Sequence, residues 1–327
     1  MSGQEGAPRV LVTGAAGFVG GHLVAALARA LPPGSTVLAG LRGADRAPDG
    51  ATALPFDVTD AAGTREAVRA ARPTCVVHLA AIAALQEARS DPARTWRINV
   101  EGTMNLAAAT LREAPGARFL FVSTSEVYGG TFKRGTAPLD EGALLDPTNP
   151  YAASKAAADL LIGQMARDGL KAVRMRPFNH TGPGQSEAFV VPAFAAQIAR
   201  IEAGRQAPVM KVGNLEALRD FLDVRDVAAA YAAAVLAPEL EPGLILNIAS
   251  GRPRPIRDAL DALTALARVP VSVEPDPARM RPNDTPFAVG DATRAKDLLG
   301  WAPRIAWDTT IADTLDFWRE RVAREPA

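Results

Sequence analysis

The stretch Val10-Leu-Val-Thr-Gly14-Ala-Ala-Gly17-Phe-Val-Gly20, near the start of the chain, decides the fold. It opens on an apolar, β-branched run, and an amphipathic helical pattern follows its last glycine. Gly14 permits a tight turn, Gly17 lets backbone N–H groups approach a pyrophosphate, and Gly20 lets the helix pack closely on the strand. A dinucleotide's phosphates would then meet the positive end of the helix dipole. The predicted cofactor contacts here are Gly14, Gly17, Phe18, Val19 and Gly20.

Short β-branched runs alternate with longer helical patterns through the first half of the chain. This alternation indicates right-handed βαβ units and a doubly wound parallel sheet. The sequence therefore predicts an α/β, Rossmann-type fold joined to a smaller mixed α/β substrate-binding domain. The predicted strands are 9–13, 36–41, 51–56, 74–79, 118–123 and 172–176, and the predicted helices are 18–30, 61–71, 92–112 and 150–167.

The sequence changes character after Pro177, where loops rich in proline and glycine alternate with helical patterns. We divide the chain into a cofactor-binding domain over 1–177, with return segments near 220–250, and a mainly substrate-binding domain over 178–327. A strand over 244–249 is predicted to rejoin the main sheet. The other predictions are loops over 179–185, 202–208 and 279–286, and helices over 189–203, 224–236 and 309–321.

Composition excludes several classes of function. Basic and acidic residues both number 36, so the chain has no bulk attraction to nucleic acid or to an anionic membrane. Cys75 is the single cysteine, lies in an apolar run and is expected to be buried, which fits a reducing compartment. The N-terminus does not read as a signal peptide, and no apolar stretch reaches the length of a membrane helix. We expect a cytoplasmic protein without a nucleic-acid, membrane or metal partner.

The end of the second predicted strand bears on cofactor choice. Folds selective for NAD place an acidic residue near this point to bind the ribose 2′-hydroxyl, whereas an arginine binds a 2′-phosphate. Leu41 stands at the expected acidic position and Arg42 follows it. The pair favours NADP(H), with NAD(H) left open, and the alternative is that Arg42 is an ordinary exposed cation.

Two further strand ends are predicted to border the cofactor. Asp57 and Val58 follow the third strand, and Asp57 is placed to hydrogen-bond the adenine; its alternative role is to cap the next helix. Leu79, Ala80 and Ala81 follow the fourth strand, and small residues there leave room for a flat ring system beside the backbone.

The run Tyr151-Ala-Ala-Ser-Lys155 places a phenol and an ammonium one helical turn apart on the same face. A nearby cation stabilises a phenolate and lowers the pKa of the tyrosine, as proton transfer requires. The same lysine is placed to hydrogen-bond the nicotinamide ribose. With only three tyrosines in the chain, we interpret the pair as catalytic, the alternative being a surface Tyr–Lys pair.

Polar residues follow the fifth predicted strand at its carboxyl end, where open α/β sheets bind ligands. The Thr124 hydroxyl is the candidate that orients a substrate carbonyl and Tyr151, and its alternative is a local backbone hydrogen bond. Glu126 is a candidate base or hydroxyl anchor, or else a charged loop residue. With Ser125 between them, these residues are also predicted to contact the substrate.

Together, the glycine triplet, the strand-end threonine and Tyr-x-x-x-Lys resemble the extended short-chain dehydrogenases that act on nucleotide sugars. A narrower resemblance lies in Arg176-Pro-Phe-Asn179-His180-Thr-Gly182-Pro183-Gly184-Gln185 and in Lys211 to Asp226. Both segments are similar to the GDP-4-keto-6-deoxy-D-mannose reductases, and more loosely to the GDP-mannose 4,6-dehydratases. The Gly-Pro-Gly-Gln run favours the reductases.

The resemblance implies NADPH-dependent reduction of a GDP-4-keto sugar to GDP-D-rhamnose, and a homodimer formed through the helices 92–112 and 150–167. It further implies contacts to the sugar nucleotide, for which paired cations suit a diphosphate in a chain without net charge. A 4,6-dehydratase or 4-epimerase that uses Glu126, and a non-catalytic nucleotide sensor, remain alternatives. The implied substrate contacts are Asn179, Val190, Lys211, Arg219 and Arg281.

Overall fold

A computed structural model describes residues 6–280 and 285–325. Its strands and helices follow the alternation of the sequence closely through the first half. The strands are β1 (Arg9–Thr13), β2 (Thr36–Leu41), β3 (Thr52–Pro55), β4 (Cys75–His78), β5 (Arg118–Val122), β6 (Lys171–Pro177), β7 (Asn179–Thr181), β8 (Val209–Val212), β9 (Leu218–Asp223), β10 (Leu244–Ile248), β11 (Pro253–Pro255), β12 (Ser272–Pro275) and β13 (Phe287–Ala288). The α-helices are α1 (Phe18–Ala30), α2 (Ala61–Ala71), α3 (Leu85–Ser90), α4 (Pro92–Trp96), α5 (Gly102–Glu113), α6 (Pro150–Arg167), α7 (Val190–Glu202), α8 (Val224–Leu236), α9 (Ile256–Ala265), α10 (Thr293–Leu299) and α11 (Trp307–Arg324).

Seven parallel strands form the main sheet in the order β10-β6-β5-β4-β1-β2-β3. The chain winds outward from β1 in one direction and from β4 in the other, so the strand order reverses between these two strands. Ligands of open α/β sheets bind at such a reversal, outside the carboxyl ends of the strands. The Rossmann-type α/β prediction is confirmed, and Leu244–Ile248 joins the edge of this sheet beside β6.

Helices cover both faces of the main sheet. On one face α1 and α8 pack against β1, β2 and β6 around Leu23, Leu27 and Tyr231. On the other face α2, α5 and α6 pack around Phe119, Phe121 and the neighbouring apolar side chains. Burial of both faces explains why the strands read as continuous apolar runs instead of alternating ones.

A second lobe follows the Pro-rich change in sequence. Strands β7, β11 and β13 all pair with β9, while β8 pairs with β12 in a separate two-stranded sheet. Helices α7, α9 and α11 pack together over a core that includes Trp318, which is buried. Within the described ranges, no helix has the length and apolar character needed to cross a membrane.

Two sequence expectations differ from the structure. The helix expected over 92–112 is interrupted by a π-helical turn, Arg97–Glu101, between α4 and α5. The loop expected over 179–185 begins with the short strand β7, whose backbone pairs with β9, a partner that no local pattern reveals. The loop expected over 279–286 lies partly outside the described residues, and its last residue adjoins β13.

Candidate active site

The glycine turn joins β1 to α1 as the sequence predicts. Gly14 has φ 69°, and a Cβ there would lie 2.8 Å from the backbone nitrogen of Ala80, so β1 and β4 end in direct contact. A Cβ at Gly20 would lie 2.3 Å from the Gly14 carbonyl oxygen, which explains the close packing of α1. Gly17 caps α1 without any side-chain hydrogen bond. The first N–H groups of the helix, at Phe18 and Val19, therefore fit an anionic group.

The residues predicted around the adenosine end of a cofactor lie on neighbouring strand ends. Arg42 is exposed directly after β2. Asp57 accepts hydrogen bonds from the Thr59 N–H at 2.9 Å and the Thr59 hydroxyl at 2.8 Å. The Thr59 N–H is the main cause that lowers the pKa of Asp57, and the charge of Arg42 acts in the same direction. The alternative that Asp57 caps α2 is wrong, because Asp60 accepts the N–H groups of the first turn.

A buried hydrogen-bonded chain ties the end of β1 to β4 and α5. The Thr103 hydroxyl donates to the Asn99 carbonyl at 2.7 Å, so it accepts from His78 Nε2 at 2.9 Å. His78 Nδ1 then accepts from the Thr13 hydroxyl at 2.7 Å. Burial, together with the charge of Lys155, lowers the pKa of His78 to about 3. A neutral His78 thus positions the strand ends next to Leu79, Ala80 and Ala81, which are partly exposed.

Asn99 is a residue that the sequence reasoning missed. Its side chain accepts from the Ile82 N–H at 2.8 Å and donates to the Ile82 carbonyl at 3.0 Å and to the Ser154 hydroxyl at 3.0 Å. Ser154 in turn donates to the Tyr151 carbonyl at 2.7 Å. The π-helical turn aims Asn99 inward, so the loop after β4 is locked to α6. A lone asparagine inside a helical pattern carries no signal of this position.

Tyr151, Thr124 and Glu126 come together at the carboxyl end of β5. Tyr151 is partly exposed in the first turn of α6 and hydrogen-bonds Thr124, which is buried. Burial raises the pKa of Tyr151 to about 12 against the lowering effect of the Thr124 hydrogen bond, and the negative charge of Glu126 raises it further. Glu126 is exposed and accepts from Asn149 Nδ2 at 3.3 Å, while Ser125 is buried beside it.

Lys155 lies one turn further along α6 and is buried at 3% exposure. Its Nζ donates to the Val122 carbonyl at 2.5 Å and lies 4.3 Å from the centre of the Phe121 ring. Burial lowers the pKa of Lys155 to about 7, with the charge of Asp159 acting in the opposite direction. The structure thus differs from the expected acidic tyrosine: desolvation keeps Tyr151 protonated, and Lys155 is the group that titrates near neutrality.

The residues expected to contact a sugar nucleotide lie in the second lobe. Asn179 starts β7, and Val190 is the partly exposed first residue of α7. Lys211 Nζ lies 2.5 Å from Glu274 Oε2 in an exposed ion pair between β8 and β12. Arg219, on β9, donates to the Leu218 and Thr285 carbonyls at 2.9 and 2.6 Å. The expectation for Arg281 falls outside the described residues.

The carboxylates of the segment 219–226 stabilise the fold. Asp220 is fully buried and accepts four hydrogen bonds, from the N–H and hydroxyl of Ser250 and the N–H groups of Gly251 and Gly290. Asp223 binds the Arg225 guanidinium and caps α8. Asp226 accepts from two backbone N–H groups ahead of α11. In the described parts of the chain, no cluster of three or more His, Cys, Asp or Glu side chains is arranged to hold a metal ion.

Comparison with known proteins assigns the chain to a class. The family model described as GDP-mannose 4,6 dehydratase matches residues 11–314. The chain belongs to this family of extended short-chain dehydrogenases, and it is an NAD(P)-dependent oxidoreductase.

Two relatives and one solved structure are similar to this chain over more than nine-tenths of its length. The chain is 37% identical to the GDP-6-deoxy-D-mannose reductase of Pseudomonas aeruginosa over 318 residues, covering 97% of this chain and 99% of that protein. The solved structure of RMD from Pseudomonas aeruginosa, complexed with NADPH, aligns with a TM-score of 0.83 at 35% identity, over 96% of this chain and 99% of that one. A UDP-glucose 4-epimerase of Azospirillum brasilense is 32% identical over 93% of this chain and 90% of its own.

Proposed function

We propose that the protein is a GDP-4-keto-6-deoxy-D-mannose reductase that uses NADPH to reduce C4 and forms GDP-D-rhamnose. The observation that carries the proposal is the placement of Tyr151, Thr124 and Lys155 at the carboxyl end of β5, in a chain whose relatives include a GDP-6-deoxy-D-mannose reductase. The Gly-Pro-Gly-Gln run after β7 supports the reductase within the family.

The residues at the strand reversal suit NADPH. The uncapped first turn of α1 suits the pyrophosphate, with Gly14, Gly17, Phe18, Val19 and Gly20 around it. Arg42 is exposed where a 2′-phosphate is expected, and the relative solved with NADPH supports this choice over NADH. When bound, the cofactor supplies a hydride to the substrate carbonyl carbon. Asp57, Val58 and the residues 79–81 would border the adenine and the nicotinamide side.

The chain's own residues handle the proton. Because the pKa of Tyr151 is about 12, its hydroxyl is protonated at neutral pH, as the acid in a reduction must be. Tyr151 donates this proton to the developing C4 alkoxide, and Thr124 orients both groups. The phenolate that remains is stabilised by the Lys155 ammonium in the next helical turn. Lys155 also reaches the nicotinamide ribose in this proposal.

The second lobe would hold the GDP moiety. The family resemblance implies five substrate contacts in this lobe: Asn179, Val190, Lys211, Arg219 and Arg281. Lys211 is exposed next to Glu274, so its ammonium is accessible to a diphosphate. Paired cations on opposite sides suit a diphosphate because forked donors match its oxygens.

The test is a direct assay with purified protein. NADPH and GDP-4-keto-6-deoxy-D-mannose are mixed with the enzyme, NADPH oxidation is followed at 340 nm, and the product's C4 configuration is read by NMR. Steady oxidation and GDP-D-rhamnose are expected. Absence of NADPH oxidation with this substrate would refute the reductase.

A 4,6-dehydratase or 4-epimerase is the second candidate, favoured by Glu126. Its charge acts on Tyr151, and a carboxylate beside the catalytic acid suits proton transfer at C5 or C6 of a hexose. Such an enzyme regenerates its own cofactor within a turnover. Product formation from GDP-mannose without added NADPH would therefore support it over the reductase.

We further propose a homodimer formed by α5 and α6. Leu160 is 61% exposed on α6 and Met104 is 44% exposed on α5, and a paired copy would cover both. Sedimentation of the wild type and of Leu160→Asp tests this, with a monomer expected for the variant only. A cytoplasmic location fits the single buried cysteine, and the division of the chain at residue 177 remains part of the proposal.

A further inference from the structure

The Lys155 ammonium occupies an apolar and nearly closed environment. Its described contacts are the Val122 carbonyl and the face of the Phe121 ring, and among the described residues no carboxylate lies within 4.0 Å of Nζ. A buried ammonium without an adjacent counter-ion loses its proton readily. Something beyond these contacts must therefore favour the charged form that the catalytic cycle requires.

Asp159 lies one turn after Lys155 on the same face of α6 and is fully buried. Its two oxygens accept from Arg176 Nε and Nη2, both at 2.9 Å, and Arg174 Nη1 donates to it at 3.0 Å. Although burial favours the neutral acid, the Arg176 hydrogen bonds hold the pKa of Asp159 below its usual value. Strand β6 thus supplies a pair of arginines that keep one carboxylate ionised in the helix of the catalytic residues.

We propose that Asp159 is a positioning residue for the reductase reaction: its carboxylate, fixed by Arg174 and Arg176, keeps the Lys155 side chain protonated beneath the cofactor site. The inference rests on the proposed function for its role in turnover. Its electrostatic content rests on the spacing of two buried residues one turn apart on α6 and on the effect of the Asp159 charge on Lys155. The two arginines orient the carboxylate, and its negative charge acts on Lys155 through the helix turn that they share.

Among the charges around Lys155, that of Asp159 is the one that raises the Lys155 pKa, whereas the charge of Glu126 acts on Tyr151. Neutral His78 and protonated Tyr151 add no negative charge. The π-helical turn and α5 present the uncharged Asn99 and Thr103. The ionisable groups on the elements packed around Lys155 include His78 on β4, Glu126 and Tyr128 after β5, Tyr151 on α6, and Arg174 and Arg176 on β6. Arg97 and Glu101 of the π-helical turn, Arg167 on α6 and Lys171 on β6 are exposed.

The charge state of Lys155 can be measured without any substrate. The chain has five lysines, and Lys155 is the buried one, so the four exposed lysines 133, 171, 211 and 296 serve as internal references. Carbon-13 labelling of lysine gives five side-chain signals whose pH titration is followed by NMR, and Lys155→Met assigns the signal of interest. In Asp159→Asn, which keeps the shape and one acceptor oxygen, we expect the Lys155 titration to move down by about one pH unit.

Arg174→Gln is the matched control, because it disturbs the same cluster while removing a positive charge. Its Lys155 titration is expected to move up, opposite to that of Asp159→Asn. A purely structural role for Asp159 predicts an unchanged Lys155 titration in Asp159→Asn, and that result overturns the proposal. If Asp159→Asn does not fold, the double variant Asp159→Asn/Arg174→Gln, which removes one charge of each sign, is compared with Arg174→Gln alone, and an equal Lys155 titration in the two overturns the proposal.

Turnover supplies the second readout. Since activity needs the ammonium, kcat falls as pH rises through the Lys155 pKa, and this alkaline limb should shift down in Asp159→Asn and up in Arg174→Gln. Equal loss of kcat at every pH would indicate a structural role and contradict the proposal. A wild type that does not oxidise NADPH with the keto sugar refutes the proposed function alone, because the NMR titration still tests Asp159.

Discussion

The helix α6 and the segment 219–226 both bury charged side chains, and they use them in different ways. In α6, Lys155 and Tyr151 have few partners and strongly displaced pKa values, of about 7 and about 12. In the segment 219–226, Asp220 has four donors and Asp223 has a bidentate arginine. The family model covers both regions, yet only α6 has buried ionisable groups, Lys155 and Tyr151, whose hydrogen-bonding capacity is not filled.

The difference separates buried charged residues that take part in chemistry from those that only stabilise the fold. A buried charge whose hydrogen-bonding capacity is filled stabilises one conformation and has no donor or acceptor left for a substrate. A buried group with one partner has a displaced pKa, and it can still gain or lose a proton during a reaction. The following experiments, in order of expected effect, test whether this division holds.

Tyr151→Phe should lower kcat by about 10³-fold, because it removes the acid while leaving the helix intact. NADPH oxidation with the keto sugar measures this, and thermal unfolding should be nearly unchanged. Tyr128→Phe is the matched control, since the Tyr128 hydroxyl is buried between Asn247 and Arg176. It should lower stability by about 1 kcal/mol with little change in kcat. A Tyr151→Phe enzyme that keeps a tenth of its kcat would contradict the assignment.

Asp220→Asn should reduce the free energy of unfolding by about 3 kcal/mol, because several buried donors lose a charged acceptor. Urea denaturation measures the change. Asp258→Asn is the control, as Asp258 meets Arg254 at 3.4 Å in a half-exposed pair whose loss should cost about 0.5 kcal/mol or less. Equal effects of the two substitutions would show that the carboxylate of Asp220 is not part of the scaffold.

Acid should destabilise the protein through His78. The unfolded histidine takes up a proton near its ordinary pKa of 6.5, whereas the folded one stays neutral down to about 3. The unfolded state therefore binds more protons below pH 6.5, and stability falls with falling pH by about 2 kcal/mol between pH 7 and 5. Urea midpoints across this range should fall less steeply in His78→Gln. Parallel slopes for both proteins would show that His78 is protonated in the fold.

Arg42→Ala should weaken NADPH binding about tenfold and leave NADH binding unchanged, since the lost contact is to the 2′-phosphate. Fluorescence titration of both cofactors measures this. Arg46→Ala, at an exposed position in the same segment, should change neither affinity. If Arg42→Ala weakens NADH binding to a similar extent, Arg42 contacts a part that both cofactors share, or it stabilises the fold.

Local signals were sufficient for much of the molecule. The glycine turn, the strand alternation and the Tyr–Lys spacing depend on residues within a few positions of each other, so periodicity and backbone sterics predict them. The π-helical turn at Asn99 was missed because its cause, the contacts with Ile82 and Ser154, lies 17 and 55 residues away. The alternative role of Asp57 as the cap of α2 was wrong, since Asp57 and Asp60 precede the helix within the same short run and Asp60 is the one that caps it.

Local sequence patterns are sufficient to predict the parallel α/β fold, the glycine turn and the helix that carries Tyr151 and Lys155. Which charges remain available for chemistry depends on packing between distant segments of the chain. Lys155 titrates near neutrality and Asp159 is held by two arginines because β5, β6 and α6 exclude water around them. Desolvation is a property of the packed neighbours of a group, and those neighbours come from distant parts of the chain.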